Sequence, residues 1–355
     1  MTYNVGIIGT GFGTKVHLPA LQAHPDFEPI IIAGRNPEKT QQLAETNNIQ
    51  WTTNWKDLVN NSELDLIAVS APPYQHYRMG RKILKAGKHL LLEKPTTSNA
   101  DQARELLVIA NEMNLVGMLC HEFRWNPERM YLMELVQNKE YIGKLQEIHG
   151  SFYMGFAASS ENPKFGWLWD SIYDGGILGA AGSHYADFIR SVTNLEFKEV
   201  YGRTYIRTPS RMTTSGKLTA QTADDGFVFE FSMQNGVNGT FDLSGTINPS
   251  PPSRLVFSGT EGTIYLEGTS IFAGKFGEQF KELHIPEKYN LDESLKEKDR
   301  RIPPFLKLLD QVSLALNKGE SLTPSLYDGW KNQQVLDAVR LAEKTNSRIN
   351  IVDYL

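Results

Sequence analysis

Over the first third of the chain, short apolar runs alternate with segments whose apolar residues recur at helical spacing. NVGIIG, PIIIAG, IQWTT, LDLIAVSA, HLLLEK and LVGMLCHEF are of strand length, and continuous apolar runs of this kind suit strands buried on both faces. Strands alternating with helices predict a parallel sheet. Asn36 followed by Pro37 reads as an N-cap and a first helical residue, which fixes one helix start before EKTQQLAETN. This block ends near Phe123.

From Leu145 onward the pattern changes. LQEIHGSFYM, FKEVYGRTYIR, GKLTAQT, GFVFEFSM, GVNGTFDLSG, SRLVFSG and GTIYLEG follow one another with Gly, Asn and Ser turns between them, which predicts a largely antiparallel sheet. PPFLKLLDQVSLALNKG and LYDGWKNQQVLDAVRLAEKT read as two closing helices. A length of 355 residues favours two domains over one. The change of pattern puts the boundary at 123/124.

Composition narrows the function classes. A formal charge of −5 gives no sign of the basic surface that nucleic acid or an anionic membrane requires. No apolar run approaches the roughly 20 residues that span a bilayer, and no basic segment precedes the first strand. The expected compartment is the cytoplasm. Cys120 is the only cysteine, which excludes an internal disulfide or a cysteine metal cluster. No set of His, Asp and Glu has metal-ligand spacing, so a metal-free site is expected.

The strongest local signal is VGIIGTGFGTKVH, where a strand runs into Gly9, Thr10, Gly11, Phe12 and Gly13 and then a helix. Such a turn lets backbone amides and a helix N-terminus approach a pyrophosphate. Thr14 stands where the usual spacing asks for a third small residue. At the end of the second strand, where an acid would bond an adenosine ribose, the chain has Gly34 and Arg35. Loss of the acid and gain of a guanidinium favour NADP, with NAD remaining possible. Ser70 and Pro72 in SAPPYQH, and the EKP turn of LLLEKP, lie at carboxyl ends of strands, where open parallel sheets bind ligands.

GTGFGTKVHLPAL, APPYQHYRMGRKILKAGKHLLLEKP, EFRWNP, GGILGAAGSHYADFIR and LTPSLYDGWKNQQVLDAV occur in an order that resembles the Gfo/Idh/MocA oxidoreductases, the family of glucose-fructose oxidoreductase and inositol dehydrogenases. The resemblance spans nearly the whole chain. It implies an α/β fold with a Rossmann doubly wound parallel sheet over 1–123, followed by an α+β domain with a large, mostly antiparallel open sheet over 124–355. The second domain would bind substrate and form a homodimer or homotetramer through its sheet. By the same resemblance Lys94 would sit near the nicotinamide ribose and the reacting oxygen, and Glu93 and His76 would line the cofactor site. A cation there stabilises the alkoxide character that develops as hydride leaves carbon. Arg124 is open between a polar substrate and an ion pair with an acid.

The family pattern Gly-Gly-x-Leu-x-Asp-x-Gly-x-His is kept at Gly175, Gly176, Leu178, Gly182 and His184, but Ala180 stands at its aspartate position. On a helix the four-residue spacing puts both side chains on one face, so that acid can orient the imidazole. Asp187 is geometrically possible as a partner, and Asp170 and Asp174 lie in the preceding loop. Trp169 and Tyr173 there suit the face and rim of a sugar ring, or a packed interface. Together these features imply an NADP(H)-dependent oxidoreductase acting on a carbinol or carbonyl carbon of a sugar, polyol or related small molecule, with Lys94 and His184 catalytic. Two alternatives are a dinucleotide-binding regulatory or scaffolding protein, supported by Ala180, and an enzyme whose tightly held cofactor cycles between two substrates.

Overall fold

The computed structural model describes residues 2–139, 141–161 and 163–351. They form two compact units, Met1–Trp125 with Leu291–Gln333, and Asn126–Asn290 with Gln334–Leu355.

In the first unit, β1 (Tyr3–Ile8), β2 (Phe27–Ala33), β3 (Gln50–Thr52), β4 (Leu66–Val69), β5 (His89–Leu92) and β6 (Gly117–Leu119) make one parallel sheet in the order β3-β2-β1-β4-β5-β6. All four residues of β4 are buried, as expected for a strand covered on both faces. Helices α1 (Leu18–Ala23), α2 (Pro37–Asn47), α3 (Lys56–Asn60), α4 (His76–Lys85) and α5 (Ala100–Glu112) make the crossovers. The Asn36 side chain caps α2 by accepting the Lys39 N–H at 2.8 Å, which bears out the expected start. Strand order reverses between β1 and β4. That switch point opens a crevice at the carboxyl ends of the strands.

The second unit holds α6 (Pro127–Asn138), β7 (Leu145–Tyr153), α7 (Ser183–Thr193), β8 (Phe197–Tyr205), a ribbon of β9 (Ser210–Met212) and β10 (Leu218–Ala220), β11 (Gly226–Met233), β12 (Asn238–Ser244), β13 (Arg254–Gly259), β14 (Gly262–Glu267), β15 (Ser270–Lys275) and β16 (Lys281–Leu283). β7, β8 and β11 to β16, with β17 (Ile349–Asn350), build a nine-stranded sheet in the order β16-β15-β14-β13-β7-β12-β11-β8-β17, antiparallel except for the β12–β7 pair. β10, expected in this sheet, pairs only with β9 in the separate ribbon.

Alternation sets the faces of the large sheet. Phe227, Phe229 and Phe231 of β11 point into the core, while Val228 and Glu230 face outward. Phe241 of β12 is the centre of the inner layer, with ring centroids 5.2 Å from Phe152, 6.0 Å from Phe227, 5.8 Å from Phe229 and 4.9 Å from Tyr185 of α7. Gly150 makes room for it: a Cβ there would lie 2.5 Å from the Phe241 ring.

The chain then returns to the first unit, so a single boundary at 123/124 does not describe the packing. Ile302, Phe305, Leu308, Leu309 and Val312 of α8 (Ile302–Lys318) join the core formed by Val5, Ile7, Leu66 and Leu91. An apolar helix face is legible from its spacing, but which sheet it covers is not. The last helix, α9 (Leu326–Thr345), contributes its start to the first unit and its remainder to the second. Among the described residues, no helix is long and apolar enough to cross a membrane.

Phe241→Ala would remove the central ring of the aromatic layer. The expected loss of stability is about 3–5 kcal/mol, measured as a lower urea midpoint with little change in slope.

Candidate active site

The glycine-rich turn after β1 is shaped by close approach to the strand next door. Gly9 has φ +119°, and a Cβ on it would lie 2.3 Å from the Ser70 carbonyl oxygen at the end of β4. Gly13 is also tight, with Ile7 and Ser70 side-chain atoms 3.2 and 3.3 Å from the position of a Cβ. Gly11 has nothing within 4 Å, which is the room a pyrophosphate requires over such a turn. Thr14 is accommodated because its hydroxyl turns back onto the Thr10 and Gly11 carbonyls at 3.2 and 3.1 Å. The following turn, Gly13–His17, is π-helical and leads into α1.

At the end of β2 a Cβ on Gly34 would lie 2.3 Å from Thr40 Oγ1 and 2.4 Å from Thr10 Cγ2. The space of the usual acid is therefore filled by Thr10 and Thr40. Arg35 is exposed beside the N-terminus of α2.

The turn after β5 is braced from two sides. Glu93 is buried, and its carboxylate accepts a 2.8 Å hydrogen bond from His17 Nε2 and a 3.3 Å bond from the Lys94 amide. His17 is fully buried against Phe305, at 4.5 Å between ring centroids, and against the edge of Phe12 at 5.5 Å. Burial raises the Glu93 pKa, but the His17 hydrogen bond and the charges of His17, Lys94 and His76 outweigh it and hold the carboxyl below its usual range. His76 is buried with Nδ1 2.8 Å from the Pro95 carbonyl and Nε2 2.8 Å from the Ala71 carbonyl. Burial lowers its pKa, although the two carbonyls favour the cation. With both nitrogens on backbone oxygens, His76 ties the turn after β4, which carries Ser70 and Pro72, to the turn after β5. Lys94 stands half-buried at the carboxyl edge of the sheet.

Cys120 Sγ lies 3.9 Å from His17 Nε2, and His17, Glu93 and Cys120 together bring metal-ligand chemistry within 4.8 Å. The imidazole and carboxylate are already hydrogen-bonded to each other, and burial and the neighbouring carboxylates push the thiol well above its usual value. The arrangement is that of a packed polar cluster with a neutral thiol. Beside it, burial and then the charge of Glu93 push Glu122 up to about 8, against the pull of Lys94 and Arg301. One carboxyl of this pair is ionised at neutral pH and the other is not. Sequence reasoning missed His17, Cys120 and Glu122 as a group. His17 occurs inside the glycine motif, but its partner is 76 positions away.

Arg124 takes the ion-pair alternative. Its buried guanidinium donates to Thr323 Oγ1 at 2.5 Å and to Asp328 Oδ1 at 3.4 Å.

In the second unit, His184 lies in the first turn of α7 and is buried. The preceding turn, Leu178–Gly182, is π-helical. Its hydrogen bonds close over five residues rather than four, so the spacing from 180 to 184 does not give the same-face geometry of a regular helix. At 180 the chain offers a methyl group. Asp187 is buried on the same helix. The Asp170 carboxylate accepts from the Ile172 amide and the Thr222 hydroxyl, both at 3.1 Å, and so caps its own turn. Trp169 is a core residue: it is 1 % exposed and lies under the Arg211 guanidinium at 3.8 Å. Packing therefore takes the face expected to meet a sugar. Tyr173 stays partly exposed.

The family model described as "Oxidoreductase family, NAD-binding Rossmann fold" matches residues 3–121, and that described as "GFO/IDH/MocA C-terminal domain" matches residues 130–265. The chain belongs to the Gfo/Idh/MocA family. An uncharacterized oxidoreductase of Synechocystis sp. is 28% identical over 98% of this chain and 96% of its own length. Glucose-fructose oxidoreductase domain-containing protein 2 of Homo sapiens is 24% identical over 97% of this chain and 92% of its own. The fold matches that of levoglucosan dehydrogenase in complex with NADH and L-sorbose, with a TM-score of 0.89 at 20% identity and 99% of each chain covered. This Gfo/Idh/MocA member has the two-domain oxidoreductase fold of its family, with a nicotinamide-dinucleotide-binding amino-terminal sheet.

The raised pKa of Glu122 has a definite sign in stability. A carboxyl that keeps its proton to about pH 8 when folded, against an ordinary value of 4.5 when unfolded, contributes most below 4.5. That contribution is lost progressively as pH rises and is gone above about 8. Glu122→Gln should therefore gain melting temperature relative to the unsubstituted protein as pH is raised from 5 to about 8, in a series of thermal melts.

Proposed function

We propose that this protein is an NADP(H)-preferring oxidoreductase that moves hydride between nicotinamide and a carbinol or carbonyl carbon of a sugar, polyol or related small molecule. The observation that carries the reading is the cradle at the switch point, where Gly9 packs on the Ser70 carbonyl and Gly11 is left open, with Lys94 on the same carboxyl edge. When bound, the nicotinamide supplies the hydride acceptor or donor. Thr10, Gly11, Phe12 and Gly13 approach the pyrophosphate, with Ser70 and Pro72 beside them. The His17–Glu93 and His76–Pro95 hydrogen bonds fix the turn that presents Lys94. Its ammonium stabilises negative charge on the substrate oxygen, and His184 takes or returns the hydroxyl proton. Tyr173 and Asp187 remain candidate substrate contacts.

NADP preference is supported by the closed space at Gly34 and by the exposed guanidinium of Arg35. A sugar-like substrate is supported by levoglucosan dehydrogenase, whose structure holds NADH and L-sorbose. A cytoplasmic homo-oligomer that uses the outward face of the nine-stranded sheet, where Tyr201 and Val228 are exposed, completes the proposal. A regulatory dinucleotide-binding protein is the second reading, favoured by Ala180.

The two readings separate on a panel of sugars and polyols assayed by reduced-nicotinamide absorbance. Turnover that falls about 10²–10⁴-fold in Lys94→Ala supports the enzyme. Tight NADPH binding without turnover on any substrate, and with no effect of His184→Ala on the bound state, supports the regulator. Arg35→Asp should weaken NADP⁺ relative to NAD⁺ by about 10–100-fold, measured by titration of each cofactor.

A further inference from the structure

The stretch Gly175–Ser183 contains no charged residue, yet it begins the helical segment that carries His184. The first N–H groups of a helix have no partner within it. Here they are met from outside, by Asp224 on the segment that leads into β11. Asp224 Oδ2 accepts the Leu178 N–H at 2.7 Å, and the Asp224 backbone carbonyl accepts the Ile177 N–H at 3.1 Å.

The same carboxylate explains the second glycine of the pair. Gly176 has φ +113°, and a Cβ on it would lie 2.2 Å from Asp224 Oδ1. A Cβ on Gly175 would lie 2.3 Å from the Trp167 carbonyl oxygen. The Gly-Gly step is thus the space into which the carboxylate and the 167–168 backbone fit.

Asp224 is itself held firmly. Its neighbour Asp225 is fully buried, accepts the Arg207 N–H at 2.8 Å and the Thr208 N–H at 2.8 Å, and takes the Gly245 N–H on its carbonyl at 2.8 Å. The rotation of α7 is set separately, by Tyr185 packed on Phe152 and Phe241 and by the Arg129 guanidinium over Tyr185 and Phe188. The Asp224 hydrogen bond to the Leu178 amide adds a polar restraint at the start of the helical segment.

We infer that Asp224 is a positioning residue for His184, fixing the axial placement of the histidine-bearing helix through the Leu178 amide in a chain that has no acid at 180. The inference rests on the proposed role of His184 in proton transfer. Burial raises the Asp224 carboxyl to about 6, against the backbone hydrogen bonds and the charge of Arg340 on α9, which leaves it mainly ionised at neutral pH. An anion at this helix end also meets the positive end of the dipole.

The test compares Asp224→Asn, which keeps an acceptor of the same reach, with Asp224→Glu, which keeps the charge but moves it outward by a methylene. Displacing a catalytic group by about 1 Å costs on the order of 10²-fold in rate. Asp224→Glu should lower kcat by about 10–100-fold with cofactor affinity unchanged, and Asp224→Asn should stay within about threefold. The imidazole signals of His184 by NMR should move in Asp224→Glu and return in Asp224→Asn, a readout that needs no turnover. If the unsubstituted protein turns over no sugar or polyol, the proposed function fails, and the NMR comparison still decides the positioning role. Unchanged kcat and unchanged His184 signals in Asp224→Glu, with only a lower melting temperature, would overturn it.

Discussion

His17 and Glu93 meet at 2.8 Å in a place closed to water, and most of the functional edge of the first unit hangs on that contact. One partner ends the π-helical turn that follows the glycine-rich loop, and the other begins the turn after β5. Joining them fixes the distance between the turn that would hold a pyrophosphate and the turn that presents Lys94. A buried carboxylate without such a donor would be costly, and here burial is offset by an imidazole, by the Lys94 amide and by nearby positive charge. Phe305 of α8 seals the imidazole from the other side, which gives the late return of the chain to this unit a local purpose.

The second unit solves a different problem. Its sheet has one covered face, and the covering helix α7 buries nearly every residue it has, His184 included. Aromatic rings do most of this packing. Tyr185 next to the histidine packs tilted on the inner layer of the sheet, and Arg129 lies over Tyr185 and Phe188, so apolar contact and a cation both hold the helix.

Much of this was legible because some positions admit few alternatives. Gly9 is needed where backbone meets backbone at β4, Asn36 and Pro37 start a helix by local chemistry alone, and GFVFEFSM alternates like a strand with one buried face. What escaped depends on contacts between distant segments. GKLTAQT has strand chemistry, but its partner is the short Ser210–Met212 rather than the large sheet. Trp169 looks like a sugar platform until Arg211, far along the chain, is found stacked on it. Glu122 carries no sign in the sequence of being kept neutral, since its state follows from burial beside another carboxylate. Asp224 was invisible for the same reason, as one acid among many until the helix end it meets was in place.

The replacement of an acid by Ala180 shifts the electrostatic burden of the proposed reaction. A carboxylate hydrogen-bonded to the imidazole would stabilise imidazolium directly, whereas one hydrogen-bonded to a backbone amide at the helix start acts on it only through the helix. Asp224 can therefore place His184 without supplying much proton affinity. In the proposed reaction, the cation that would stabilise charge on the substrate oxygen is Lys94. Two ionised carboxylates beside the ammonium would neutralise it and blunt its pull on a substrate oxygen. Because burial beside Glu93 keeps the proton on Glu122, only one of the two carboxyls near Lys94 carries charge at neutral pH.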